Sequence, residues 1–119
     1  MLNLDTHILI YALTGELTRS EVALLAGDRW SISAIVLWEM AKLAQIGTIR
    51  LDIDSPELSE ILSRIHIWPL DLAVCTVIKS LDFRGDPADE LIAATSILHH
   101  VPLVTRDRAI RKSKLVPFA

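Results

Sequence analysis

Apolar and polar positions along this chain fall into short blocks whose period switches between strand-like and helix-like. Leu2 to Asp5 reads as a short buried strand, and His7 to Leu13 is apolar nearly all round, as in a buried helix. Thr18-Arg19-Ser20-Glu21 matches a capping box and starts a helix to about Ala26, with Gly27 as its stop signal. Trp30 to Ser33 is a second strand. Ser33 caps a helix from Ala34 to Gln45, which Gly47 terminates. Ser55-Pro56-Glu57 places Ser at the N-cap and Pro at the first helical position of a helix to about Ile65. His66 to Leu70 reads as extended, Asp71 caps a helix to about Ser80, and Leu81 to Asp86 is a loop. Asp86-Pro87 opens a helix over Ala88 to His100, and Leu103 to Thr105 is a further strand. Arg108 to Lys112 makes a turn or short helix, and Leu115 to Phe118 a last edge strand. Alternation of this kind predicts an α/β domain with a mostly parallel sheet of four to five strands and helices on both faces.

That architecture gives four carboxylates a common destination. Asp5 and Asp107 sit just past strand-like runs, and Glu39 and Asp89 sit early in helix-like runs. In an open parallel sheet the crevice outside the carboxyl ends of the strands is the functional edge. Carboxylates gathered there repel one another unless a cation neutralises them, and hard divalent cations take oxygen ligands of this kind. Each residue also has a structural role open to it. Asp5 can cap the helix that follows, and Asp86 and Asp89 fit the N-cap and N3 positions of one helix, where the macrodipole favours anions. Asp107 can be a turn residue. Glu39 is harder to explain that way, because it is the only charge between Ile32 and Ala41 and needs a cation or donors if buried.

Composition narrows the classes further. The chain of 119 residues suits one domain with a single core, spanning residues 1–119. At 51% hydrophobic it has apolar surface to spare for a partner, and Leu58, Ile61, Leu62, Trp38, Leu43 and Ile46 suggest a symmetric homodimer. No secretory signal or membrane-length apolar run is visible, so the expectation is a cytoplasmic protein with no membrane partner. The only cysteine, Cys75, lies in an apolar run and reads as a buried small hydrophobe, which fits a reducing compartment. Trp30, Trp38 and Trp68 read as core or interface residues, and His7 as structural. A net charge of −3 argues against general nucleic-acid coating. Yet five of the twelve basic residues fall between Arg106 and Lys114. Arg106, Arg108, Arg111 and Lys112 could line a phosphodiester path beside the acidic cluster, or merely solvate the C-terminal face.

Four segments together resemble a PIN domain, and in particular the VapC-like ribonuclease toxins of toxin–antitoxin pairs. They are Leu4-Asp5-Thr6-His7, Ser33 to Glu39, Asp86 to Thr95, and Leu103-Val104-Thr105-Arg106-Asp107. Many relatives carry Arg directly after the aspartate of the third segment, where this chain has Glu90. The resemblance implies that Asp5, Glu39, Asp89 and Asp107 bind Mg²⁺ or Mn²⁺ and act catalytically. Thr6, Thr105 and Asp86 would support them from behind. It further implies an RNA substrate cut by a metal-activated water, leaving 5′-phosphate and 3′-hydroxyl ends, and a cognate antitoxin protein as partner. Two other classes stay open at this point: a non-catalytic binding module that keeps the fold, and a magnesium-dependent phosphatase or phosphotransfer domain. The latter typically has a second Asp two residues after the first, where this chain has His7.

Overall fold

The computed structural model describes all of residues 1–119. The strands are β1 (Leu2–Leu4), β2 (Trp30–Ser33), β3 (His66–Trp68) and β4 (Leu103–Val104). They form a four-stranded parallel sheet in the order β3-β2-β1-β4. The chain therefore steps outward from β1 to β2 to β3, then returns to lay β4 on the other side of β1. This reversal makes a topological switch point between β1 and β4. All three residues of β1 are buried. Successive strand residues point to opposite faces, so both faces of the central strand are covered.

The helices are α1 (Thr6–Thr14), α2 (Arg19–Ala26), α3 (Ala34–Gln45), α4 (Pro56–Ser63), α5 (Leu72–Val77), α6 (Pro87–His99) and α7 (Arg108–Arg111), with a 3₁₀ turn over Ile78–Ser80. Their starts follow sequence chemistry. The Thr18 hydroxyl accepts the Glu21 backbone N–H while the Glu21 carboxylate accepts that of Thr18, a complete capping box. Ser33, Ser55, Asp71 and Asp107 cap α3, α4, α5 and α7 through their side-chain oxygens. The core joins Leu4, Ile8, Leu9, Ile32, Val36, Met40, Ile92, Leu103 and Ile110, among others. Burying each such side chain contributes about 1.5–3 kcal/mol. Asn3, fully buried in β1, donates from Nδ2 to Ser96 Oγ at 2.9 Å and to the Ile92 carbonyl at 3.3 Å. This polar tie fixes α6 across the central strand and so aims the N-terminal end of that helix.

Several expectations need correction. Cys75 is exposed, because the six-residue helix α5 fully buries only Val74 and leaves Leu72, Ala73 and Cys75 outside. Leu115 to Phe118 makes no full strand: a single parallel bridge joins Leu103 to Phe118. Pro117, lacking an N–H, contributes only its carbonyl, which accepts from Leu103 N at 2.8 Å. Leu58 is buried, and Leu43, Ile61 and Leu62 pack against the core, so they are not spare surface. Trp38 and Ile46 do remain outside, at 56% and 68% exposure. No helix is long and apolar enough to cross a membrane.

Candidate active site

The switch point opens into a cleft of about 350 Å³ lined by Asp5, Glu39, Asp86, Asp89 and Asp107, with His7, Tyr11 and Arg106 on its walls. All four carboxylates singled out from the sequence thus face one cavity. Asp5 follows β1, and its Oδ1 accepts the Thr6 backbone N–H at 2.8 Å as the N-cap of α1. Asp107 follows β4 and caps α7, its Oδ1 accepting Ile110 N at 3.0 Å. Glu39 projects from the second turn of α3. Asp89 sits in the first turn of α6, and Asp86 is the N-cap residue of that helix without making a side-chain cap bond. Capping uses one carboxylate oxygen of each, Oδ1, and does not by itself exclude a chemical role for either residue.

Two threonine hydroxyls wire this cluster together. Thr105 Oγ1 donates to Asp5 Oδ2 at 2.6 Å and accepts the Asp107 backbone N–H at 3.0 Å. Thr6 Oγ1 donates to Glu39 Oε1. Thr6 is fully buried and Thr105 nearly so. Asp5, Glu39 and Asp107 are thereby held by hydroxyls that cannot move to water without orphaning a buried group.

Electrostatics marks Asp89 out. Its carboxyl is pushed up to about 7, first by burial and then by the negative charges of Asp5, Asp107, Glu39 and Asp86. Asp5 is also raised, by burial that outweighs its hydrogen bonds from Thr105 and Thr6. An apo cleft in which one acid holds its proton near neutrality is short of positive charge. No three of the acids stand together as a ready-made cage for an ion. Mg²⁺ does not need one, because it keeps several waters and binds through one or two carboxylates plus substrate phosphate. The all-oxygen donor set, the mutual repulsion and the open geometry all fit such a cation.

The basic residues of the C-terminal segment divide. Arg106 alone lines the cleft, and its guanidinium pairs with Glu21. Arg111 donates to the Thr105 carbonyl at 3.2 Å and lies over the Phe118 ring. Arg108 and Lys112 are exposed and form no ion pair. Glu90 stays out of the cleft: its Oε2 accepts Gly85 N at 3.2 Å, and it lines a separate pocket with Lys79 and Arg84. His7, read as structural, is instead exposed on the cleft wall. Tyr11 was not singled out from the sequence; its place one helical turn after His7 was the available signal. Glu21 carried no such signal beyond its cap. Beside the cleft, sharing Glu39 and Asp86 with it, runs an apolar groove of about 620 Å³ lined by Ile35, Trp38, Leu70 and Pro87.

Fold and site together define a class, and the chain belongs to the PIN domain family, whose profile matches residues 3–114. Over 119 aligned residues it is 34% identical to Ribonuclease VapC22 of Mycobacterium tuberculosis, covering 93% of this chain and 90% of that protein. Among solved structures, VapBC2 from Rickettsia felis bound to a DNA fragment from its promoter superposes with a TM-score of 0.71. It is 22% identical and covers 100% of this chain and 98% of that one. FitAcB from Neisseria gonorrhoeae matches with a TM-score of 0.68 at 24% identity, over 100% and 97% of the two chains. A toxin–antitoxin complex from Klebsiella pneumoniae gives 0.69 at 22% identity, over 90% and 87%.

Proposed function

We propose that this protein is a metal-dependent endoribonuclease and the toxin half of a toxin–antitoxin pair. The observation that carries the reading is the five-carboxylate cleft at the sheet's switch point, in a chain 34% identical to a named ribonuclease. Asp5 and Asp89 would hold Mg²⁺ or Mn²⁺, with Glu39 and Asp107 lining the same cleft. Such a cation, when bound, would supply charge neutralisation at the scissile phosphate and an acidified water. Thr105 keeps Asp5 aimed, and Thr6 does the same for Glu39. Glu39 or Asp107 orients the attacking water, and Asp86 adds negative potential at the rim. Arg106 on the cleft wall, and Arg108, Arg111 and Lys112 beyond it, would neutralise RNA phosphates.

Cleavage of single-stranded RNA is expected with Mg²⁺ or Mn²⁺ and absent in excess EDTA, with 5′-phosphate product ends. Equal cleavage in EDTA would overturn the reading. An antitoxin segment would fill the apolar groove beside the cleft. The exposed Trp38 on α3 and Ile46 at its C-cap make a homodimer the expected free form. Sedimentation at micromolar concentration should give the dimer mass, and Trp38→Glu should halve it. A wild-type monomer would count against this surface as the dimer contact.

A further inference from the structure

Arg106 is the only lysine or arginine on the cleft wall, and the structure holds it through several contacts at once. Its Nε donates to Glu21 Oε2 at 2.8 Å and its Nη2 to Glu21 Oε1 at 2.6 Å, a two-pronged fork. Nη2 also donates to the Glu16 carbonyl at 3.2 Å. The guanidinium carbon lies 4.2 Å from the centroid of the Tyr11 ring. Of the five N–H groups of an arginine, these bonds use three, all on one side of the plane's outline. The two on Nη1 have no protein acceptor.

A flexible arginine beside an acidic cluster would be expected to fold onto the carboxylates. This one is kept off them by a clamp from α2 and a ring from α1. Glu21 is itself held in place, since its Oε1, which accepts from Arg106 Nη2, also accepts the Thr18 backbone N–H at 2.9 Å. The fork partner is thus part of the helix cap and cannot swing away without undoing that cap.

We infer that Arg106, clamped by Glu21 and backed by Tyr11, presents its Nη1 edge as a fixed ligand for a non-bridging oxygen of the RNA phosphate at the cleft. Glu21 is a positioning residue that acts through Arg106. The arrangement gives the site a cation that does not collapse onto the carboxylates when substrate is absent, so its reorganisation on binding is small. Arg108 and Lys112, unpaired on the surface, then add only general phosphate attraction. The inference rests on the ribonuclease reading above, and its test separates the two.

The experiment compares wild type, Arg106→Ala, Arg106→Lys and Glu21→Gln for steady-state cleavage and, without metal, for binding of a short single-stranded RNA across a salt series. Arg106→Ala should lower kcat/KM by roughly a hundredfold, the loss of a charge-assisted phosphate contact, and reduce the salt slope by about 0.7. Arg106→Lys should recover little, because a lysine cannot hold the fork and offer a second edge at once. Glu21→Gln should raise KM by about tenfold, with the salt slope kept, because the charge remains while its placement is lost. If Arg106→Ala cleaves with unchanged KM, kcat and salt slope and only melts earlier, Arg106 is a strap between α2 and the cleft, and the inference fails. If the wild type does not cleave but Arg106→Ala still flattens the slope, the ribonuclease reading fails while the phosphate ligand survives.

Discussion

Asp89→Asn is expected to lower RNA cleavage by on the order of a thousandfold while leaving the folded protein intact or more stable. Asparagine keeps the shape of the side chain and removes its charge. In the metal-free protein that charge is opposed by Asp5, Asp107, Glu39 and Asp86, so losing it relieves repulsion. Against this stands a favourable interaction of Asp89 with the first turn of α6, worth about 0.3–1 kcal/mol. The repulsion from four acids should win. Asp5→Asn should be as inactive. Its amide oxygen can still accept the Thr6 N–H, and its amide nitrogen can donate to Thr105 Oγ1 in place of the present O–H to carboxylate bond. Melting curves and cleavage assays on the two variants check this. Loss of folding in both would reduce these residues to helix caps. Near-wild-type cleavage by either would place the chemistry elsewhere.

Much of this site was legible before the fold was known, and the reason is physical. Caps and strand ends are local: Ser33, Ser55, Asp71 and Asp107 act on residues two or three positions away, so the sequence displays their partners directly. Once strands alternate with helices, a parallel sheet must gather residues such as Asp5 and Asp107 at one edge. What stayed hidden depends on distance along the chain. The pairing of Arg106 with Glu21 spans 85 positions, and Glu21 already had a local role in its capping box. Cys75 was misread because an apolar run of less than two turns does not say which side is covered, and only Val74 on α5 is buried. Trp38, by contrast, was read as apolar surface and is exposed: Val36 and Met40 are buried, and the helical period carries the residue between them to the open side of α3.

The second large effect is a fall in stability of the metal-free protein as pH rises through the weakly acidic range. Asp89 titrates at about 7 in the folded state, against 3.8 for an unperturbed aspartate. Between those values the folded protein binds more protons than the unfolded chain, so stability decreases with rising pH and levels off above the folded value. Asp5, also raised, acts in the same direction. Glu21 works oppositely, since Arg106 holds it down to about 2, but its contribution is lost only in strong acid, below its unfolded value of 4.5. Asp89 is half open to solvent, and discounting its shift for screening leaves on the order of 1 kcal/mol. For a chain of this size that corresponds to a melting temperature about 3–6 °C higher near pH 5 than near pH 7.5. Mg²⁺ at millimolar concentration should abolish most of the slope by neutralising the cleft and by binding the folded state alone. Asp89→Asn should flatten the profile without metal. A wild-type melting temperature that rises over this interval, or a slope that Asp89→Asn and Mg²⁺ both leave unchanged, would mean that the carboxylates do not share one field.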